Sequence, residues 1–131
     1  MVELPESEKR ELQRYLTWDE KRLFRELDRY YGASSPGGRR AAYSVKGKGR
    51  VWLNETWQKL EAFVCDEWNF PARKSDPELQ DKERLAAELS QAISPLLERN
   101  PFPTGAQVPS PLVAAILVQW GLDRLCEQHD R

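Results

Sequence analysis

Hydrophobic positions are most concentrated near the C-terminal end of the chain, in the stretch 110–126. Ser110 and Pro111 open this stretch with the residue types that favour the N-cap and first turn of a helix. Every residue from 112 to 118 is apolar, so that half of a helix cannot face water. Ala114, Ala115 and the length of the stretch favour a helix over a buried strand. We therefore predict a central helix over 110–126, buried in its first half and emerging at the surface in its last turns.

The first 31 residues repeat apolar positions at helical spacing. Thr17 followed by Glu20 matches a capping box, which predicts two short helices that meet near Thr17, although one continuous helix also fits the spacing. Gly32 is a suitable residue to end the second helix. The dense charges of alternating sign between the apolar positions are typical of solvated helix faces.

Two further helices are predicted in the middle of the chain. Asn54 can cap a helix that runs to about Trp68. Trp57 and Trp68 are eleven positions apart on it and share a face, which is either core or a surface for a partner protein. Asp76 and Pro77 open the next helix, which Pro95 should kink or break. A proline-rich loop over 99–110 then leads into the central helix.

These elements predict an all-α protein of about five helices in a single compact domain over 1–131. Residues 32–53 interrupt the helical pattern with a basic, glycine-rich segment. Tyr43 and Val45 alternate with polar residues, and 46–49 resemble a turn. A short β-hairpin over roughly 41–53, with 51–53 as the return strand, and an irregular loop both fit this pattern.

The segment 32–53 also concentrates positive charge. The chain has 131 residues, 20 basic and 21 acidic, and a formal net charge of −1. The segment contains five of the basic residues and no Asp or Glu, so 15 basic residues are left against 21 acidic ones elsewhere. A basic segment on an acidic body is therefore expected, and the near-zero total argues against non-specific adhesion to nucleic acid or membranes.

This segment is the strongest candidate binding site in the sequence. Its basic residues suit phosphates or carboxylates, its aromatic residues suit base stacking or anchoring in a partner, and its glycines allow close approach of the backbone. The candidate residues are Arg39, Arg40, Tyr43, Lys46, Lys48, Arg50 and Trp52. The segment could instead lie against the acidic body of the same protein.

The sequence contains no strong motif of a catalytic site. The single histidine, His129, is in the polar tail, and no third group suggests a site that pairs it with a cysteine. Gly47, Lys48 and Gly49 do not form a nucleotide-binding loop, because Gly49 occupies the position directly after Lys48 where Ser or Thr is required. No metal-ligand spacing is present, and no cofactor is implied. We therefore expect a non-enzymatic adaptor or complex subunit that binds an acidic surface of another protein, or alternatively RNA or single-stranded DNA.

The remaining sequence features concern location. Cys65 and Cys126 both fall in helical patterns and are expected to be reduced thiols in the core. Acidic residues near the N-terminus do not fit a signal peptide, and the longest apolar run is much shorter than a membrane span. These observations predict a cytoplasmic protein that does not enter membranes.

Overall fold

The computed structural model describes residues 6–32, 47–102 and 107–129, and within these ranges it contains helices and no strands. The α-helices are α1 (Glu6–Tyr15), α2 (Glu20–Tyr31), α3 (Lys48–Ala62), α4 (Phe70–Arg73), α5 (Lys82–Arg99), α6 (Ser110–Trp120) and α7 (Leu122–His129). A π-helical turn (Phe63–Glu67) follows α3, and a 3₁₀ turn (Pro77–Gln80) precedes α5. The all-α class is confirmed, with seven described α-helices where about five were predicted.

Helix α6 forms the centre of the fold. Its side chains from 112 to 117 are all buried, and it packs against α1, α2 and α5. The buried half of the predicted central helix is thus confirmed. The single helix over 110–126 is not, because Gly121 adopts a φ of 111° and α7 begins at Leu122. That φ is accessible to glycine and strained for other residues, which explains why the chain turns there.

Two separate helices form at the N-terminus, as the capping pattern predicts. Asp19, rather than Thr17, caps α2, and its carboxylate accepts a hydrogen bond from the backbone N–H of Arg22 at 2.8 Å. Thr17 instead donates its hydroxyl to the carbonyl of Arg14 at 2.6 Å. The side chain of Gln119 donates to the carbonyls of Leu16 and Trp18, which fastens the α1–α2 turn to α6.

The predicted β-hairpin over 41–53 is wrong where the structure describes it. Residues 48–53, including the return strand proposed at 51–53, lie in α3, which begins six residues before the predicted cap at Asn54. Residues 41–46 lie outside the described part of the chain. The early start of α3 has a tertiary cause, because the carboxylate of Asp28 on α2 binds its first backbone N–H groups.

The predicted break at Pro95 does not occur, since α5 continues through it from Lys82 to Arg99. Proline removes one backbone hydrogen bond from a helix and crowds the preceding turn. Ile93 and Leu97 on either side are fully buried. Their packing keeps α5 helical across Pro95, whose own side chain faces solvent.

Cys65 and Cys126 form a disulfide, so the expectation of two reduced thiols is wrong. The bond joins the π-helical turn to α7 across 61 positions of sequence, with a Cα–Cα distance of 5.3 Å. Each cysteine lies within a helical pattern, and only the tertiary fold brings them together. Among the described residues, no helix is both long and apolar enough to cross a bilayer.

Candidate functional site

The structure divides the seven predicted binding residues into three groups. Arg39, Arg40, Tyr43 and Lys46 lie outside the described residues. Lys48 and Arg50 are exposed in the first turn of α3. Trp52 is buried, with 4% of its surface accessible. The described part of the predicted site therefore offers two exposed cations.

Trp52 is part of the core and not of the surface. Its indole N–H donates to the backbone carbonyl of Asn100 at 3.2 Å. Its ring meets the ring of Phe102 edge-on at a centroid distance of 5.0 Å. With its polar atom bonded and its faces covered, Trp52 is not available to stack on a base or to anchor a partner.

The Gly47–Gly49 turn binds a carboxylate of its own chain. The backbone N–H groups of Gly47 and Gly49 donate to the two carboxylate oxygens of Asp28 at 2.9 and 2.7 Å. A Cβ at Gly49 would lie 2.8 Å from one of these oxygens and 3.0 Å from the backbone of α2. The glycines do permit a close approach of the backbone to an anion, and that anion is Asp28.

The exposed face of α2 next to this turn is rich in cations. Lys21, Arg22, Arg25 and Arg29 are all exposed. Their separations of three, four and seven or eight positions place them on one side of a helix. In the sequence these charges fit an ordinary solvated face, because cations and acids alternate along α2.

The acids that alternate with these cations are used in internal contacts. Asp19 caps α2, Asp28 caps α3, and Glu26 accepts hydrogen bonds from Arg29. The bond to Glu26 raises the pKa of the Arg29 guanidinium. Within the described ranges, Lys21, Arg22 and Arg25 have no carboxylate at ion-pair distance. Glu20 is also exposed, and the four acids of 19–31 match its four cations in number. What distinguishes this face is that three of its cations have no direct ion-pair partner among the described residues.

Three arginines cover aromatic rings along α2. The guanidinium of Arg22 lies 4.0 Å from the ring centroid of Trp18. Arg50, reaching across from α3, lies 4.4 Å from that of Phe24. Arg29 lies 4.8 Å from that of Tyr30. Arg29 already donates two N–H groups to Glu26, whereas Arg22 and Arg50 form no ion pair among the described residues. A guanidinium over a ring can still bind a carboxylate or phosphate through two parallel hydrogen bonds along its N–H edge.

We refer to these residues together as the cationic surface. Its members are Trp18, Lys21, Arg22, Phe24, Arg25, Arg29, Tyr30, Lys48 and Arg50. Of the predicted site residues it contains Lys48 and Arg50. The four-residue spacing of Lys21, Arg25 and Arg29 is a signal in the sequence that could have found it, because residues four apart are neighbours on a helix.

A second region has a concentration of acids. Glu8, Glu11 and Glu98 line a cavity of about 480 Å³ between α1, α5 and the start of α6, together with Tyr30. No set of three or more His, Cys, Asp or Glu side chains in the described ranges is arranged to hold a metal ion.

Comparisons of the chain with models of known protein families, with curated proteins and with solved structures yielded no match. Evidence for function comes from the cationic surface and from the other surfaces of the described residues.

Proposed function

We propose that the protein is a small non-enzymatic adaptor or complex subunit that binds an acidic surface of another protein. The contact is made by the cationic surface on α2 and the first turn of α3. Arg22, Arg25 and Arg50 bind carboxylates of the partner through their guanidinium edges. Arg39, Arg40, Tyr43 and Lys46, which follow α2 in the sequence, extend the same contact in this proposal.

The observation that supports this proposal is the separation of charge around α2. Asp19, Glu26 and Asp28 are held in contacts within the protein. Lys21, Arg22 and Arg25 are exposed and form no ion pair with a carboxylate of the described residues. Ion pairs across an interface add most to orientation and association rate. Arginine and aromatic residues are also the types that dominate binding energy in protein interfaces.

The partial burial of the aromatic rings and the arginine over each of them favour a protein partner over nucleic acid. Trp18, Phe24 and Tyr30 are half-buried and are each covered by an arginine. A base would have to displace the guanidinium before it could stack on the ring. The chain, with a formal net charge of −1, also lacks the excess of positive charge that is typical of nucleic-acid-binding domains.

The first test is fluorescence anisotropy with three labelled probes: a glutamate-rich peptide, single-stranded RNA and duplex DNA. Each is titrated with the protein at low and at physiological salt. We expect the peptide to stay bound at physiological salt and both nucleic acids to bind only at low salt, if at all. The double variant Arg22→Ala/Arg25→Ala should weaken peptide binding by about tenfold.

The matched control removes two exposed cations elsewhere. Lys82→Ala/Arg99→Ala loses the same charge from α5 and should leave peptide affinity within about twofold of the unchanged protein. RNA binding that survives physiological salt and is lost with Arg22 and Arg25 would instead make the protein a nucleic-acid module. If both double variants change affinity equally, or if no probe binds, the cationic surface is not a binding site.

The disulfide in the structure counts against the predicted cytoplasmic location, because the cytosol keeps most thiols reduced and disulfides persist in oxidising compartments. The state of the two cysteines in the cell tests that location. A cytoplasmic protein should contain free thiols at Cys65 and Cys126 when alkylated during lysis. Maleimide labelling before and after reduction, read by mass spectrometry, distinguishes the two states. An intact disulfide at lysis would contradict a cytoplasmic location.

A further inference from the structure

A groove between α3 and α5 forms a second surface, separate from the cationic surface. It encloses about 410 Å³. On one side it is lined by the end of α3 and the π-helical turn, and on the other by the second half of α5. The lining residues are Lys59, Ala62, Phe63, Asp66 and Glu67 from the first side and Ala92, Pro95, Leu96 and Arg99 from the second.

The floor of the groove is apolar and follows helical spacing on both sides. Ala62 and Phe63 on one helix and Ala92 and Leu96 on the other are only partly covered. Positions three, four and seven apart on two neighbouring helices are the positions that receive a facing helix in a bundle. The floor is thus shaped to pack against helices, and the described residues leave it open.

Opposite charges occupy the two ends of this floor. The ammonium of Lys59 donates to the side chain of Asn100 at 2.9 Å, which places Lys59 beside the end of α5 and therefore beside Arg99. Asp66 and Glu67 lie two turns further along, about 10–12 Å from Lys59 at the rise of a helix. Glu67 and Arg99 are both exposed. The groove is thus cationic at one end, apolar in the middle and acidic at the other.

We infer that the occupant of this groove is a second copy of the same chain. A two-fold axis through the middle of the groove places the cationic end of each copy on the acidic end of the other. The same rotation brings the two apolar floors together, with Phe63 and Leu96 of both copies near the axis. Such self-complementarity is what the symmetric interface of a homodimer requires, and the helix pairs then form a four-helix bundle.

The groove is small for a dimer interface. Nine residues line it in each copy, fewer than the roughly 20–30 residues per partner of a standard stable interface. The dimer is therefore expected to exchange with monomer rather than to be permanent. This inference does not depend on the function proposed for the cationic surface.

The test is sedimentation velocity of the purified full chain from low micromolar to several hundred micromolar concentration. We expect a reversible shift from monomer to dimer that weakens as salt is added. Arg99→Glu and Glu67→Lys should each raise the dimer Kd by about tenfold, because each replaces attraction by repulsion at two symmetry-related places. The double variant Arg99→Glu/Glu67→Lys exchanges the two charges and should restore the dimer.

The matched control is the charge reversal Arg25→Glu on the cationic surface, which should leave the dimer Kd unchanged. Melting curves from circular dichroism check that every variant is folded. A chain that stays monomeric at all concentrations overturns the inference. Three other results would also overturn it. The first is a dimer Kd that neither Arg99→Glu nor Glu67→Lys changes, and the second is a double variant whose dimer Kd stays raised. The third is a dimer Kd that Arg25→Glu raises.

Discussion

At the scale of single residues, one carboxylate decides where α3 begins. Asp28 binds the N–H groups of Gly47 and Gly49 from a position nineteen to twenty-one residues earlier in the chain. The first N–H groups of a helix have no partner within the helix, and a carboxylate on a neighbouring helix can accept their hydrogen bonds as well as a local cap residue can. It leaves no local pattern in the sequence, which is why Asn54 was predicted as the cap.

The contact with Asp28 also makes Gly49 intolerant of a side chain. We expect Gly49→Ala to lower the free energy of unfolding by about 1–3 kcal/mol, because the new methyl group would meet the carboxylate and the backbone of α2. Urea denaturation measures the change. Asn54→Ala, at an exposed position of the same helix, is the control and should stay within about 0.5 kcal/mol. A neutral or stabilising Gly49→Ala would contradict the contact.

The phenol of Tyr15 provides a test by pH. Burial raises the pKa of this group above its ordinary value of about 10, and the nearby Tyr30 hydroxyl and the carboxylates of Glu11 and Glu26 raise it further. The unfolded chain therefore loses this proton above about pH 10 while the folded chain keeps it. Stability from this group is complete below that pH and falls as pH rises above it, by up to about 1.4 kcal/mol per pH unit.

Tyr15→Phe isolates this effect. At neutral pH the variant should unfold within about 1 kcal/mol of the unchanged protein, because the buried hydroxyl makes no hydrogen bond of ordinary geometry. Above pH 10 its stability should decline less steeply than that of the unchanged protein. Denaturation at pH 8, 10 and 11 measures both slopes. Parallel declines in the two proteins would show that Tyr15 ionises equally in both states.

At the scale of elements, α6 is the helix on which the packing depends. Leu117 is fully buried at the centre of the core. Leu117→Ala should therefore lower the free energy of unfolding by about 2–5 kcal/mol, through lost apolar contact and the cavity left behind. Val118→Ala, next to it on the half-buried side, should change stability less. Thermal and urea unfolding measure the change in stability of both variants. An unchanged melting temperature for Leu117→Ala would contradict the central position of α6 in the core.

The helices themselves were predictable from sequence, because apolar spacing records which face is buried. The run 112–117 predicted the core of α6, and the spacing around Leu12, Leu23 and Leu27 predicted α1 and α2. The ends of the elements were harder to predict. Glycine permits the positive φ of Gly121 but does not require it, so the break after α6 was missed. The continuity of α5 through Pro95 depends on tertiary packing, which local patterns do not contain.

The candidate site was predictable only in part for the same reason. The sequence identified Lys48 and Arg50 as exposed cations, and both are exposed. It also included Trp52, whose burial results from contacts with Asn100 and Phe102 about fifty residues away. The cationic face of α2 was missed because acids and cations alternate in its sequence. Only the structure shows which of the acids cap helices or pair with an arginine.

At the scale of the whole molecule, the disulfide connects the last helix to the rest of the fold. Cys126 on α7 is bonded to Cys65 in the π-helical turn, and both are buried. The ring of Trp120, just before α7, meets that of Trp57 edge-on at 5.2 Å. The exposed pair of Lys74 with Asp123, at 3.3 Å, adds a contact that solvent screens. Beyond its packing, α7 therefore depends on one covalent link.

Reduction of the Cys65–Cys126 bond should lower the free energy of unfolding by about 4 kcal/mol, the chain-entropy value for a closed loop of this length. Because α7 is a short helix at the end of the chain, it should be the first element to lose protection against hydrogen exchange. Urea denaturation with and without a phosphine reductant measures the first effect, and exchange mass spectrometry measures the second. Cys126→Ser should reproduce both effects without reductant and should then be insensitive to it. If the reduced protein keeps its stability while α7 stays protected, packing alone holds α7 in place, and the disulfide contributes little to the fold.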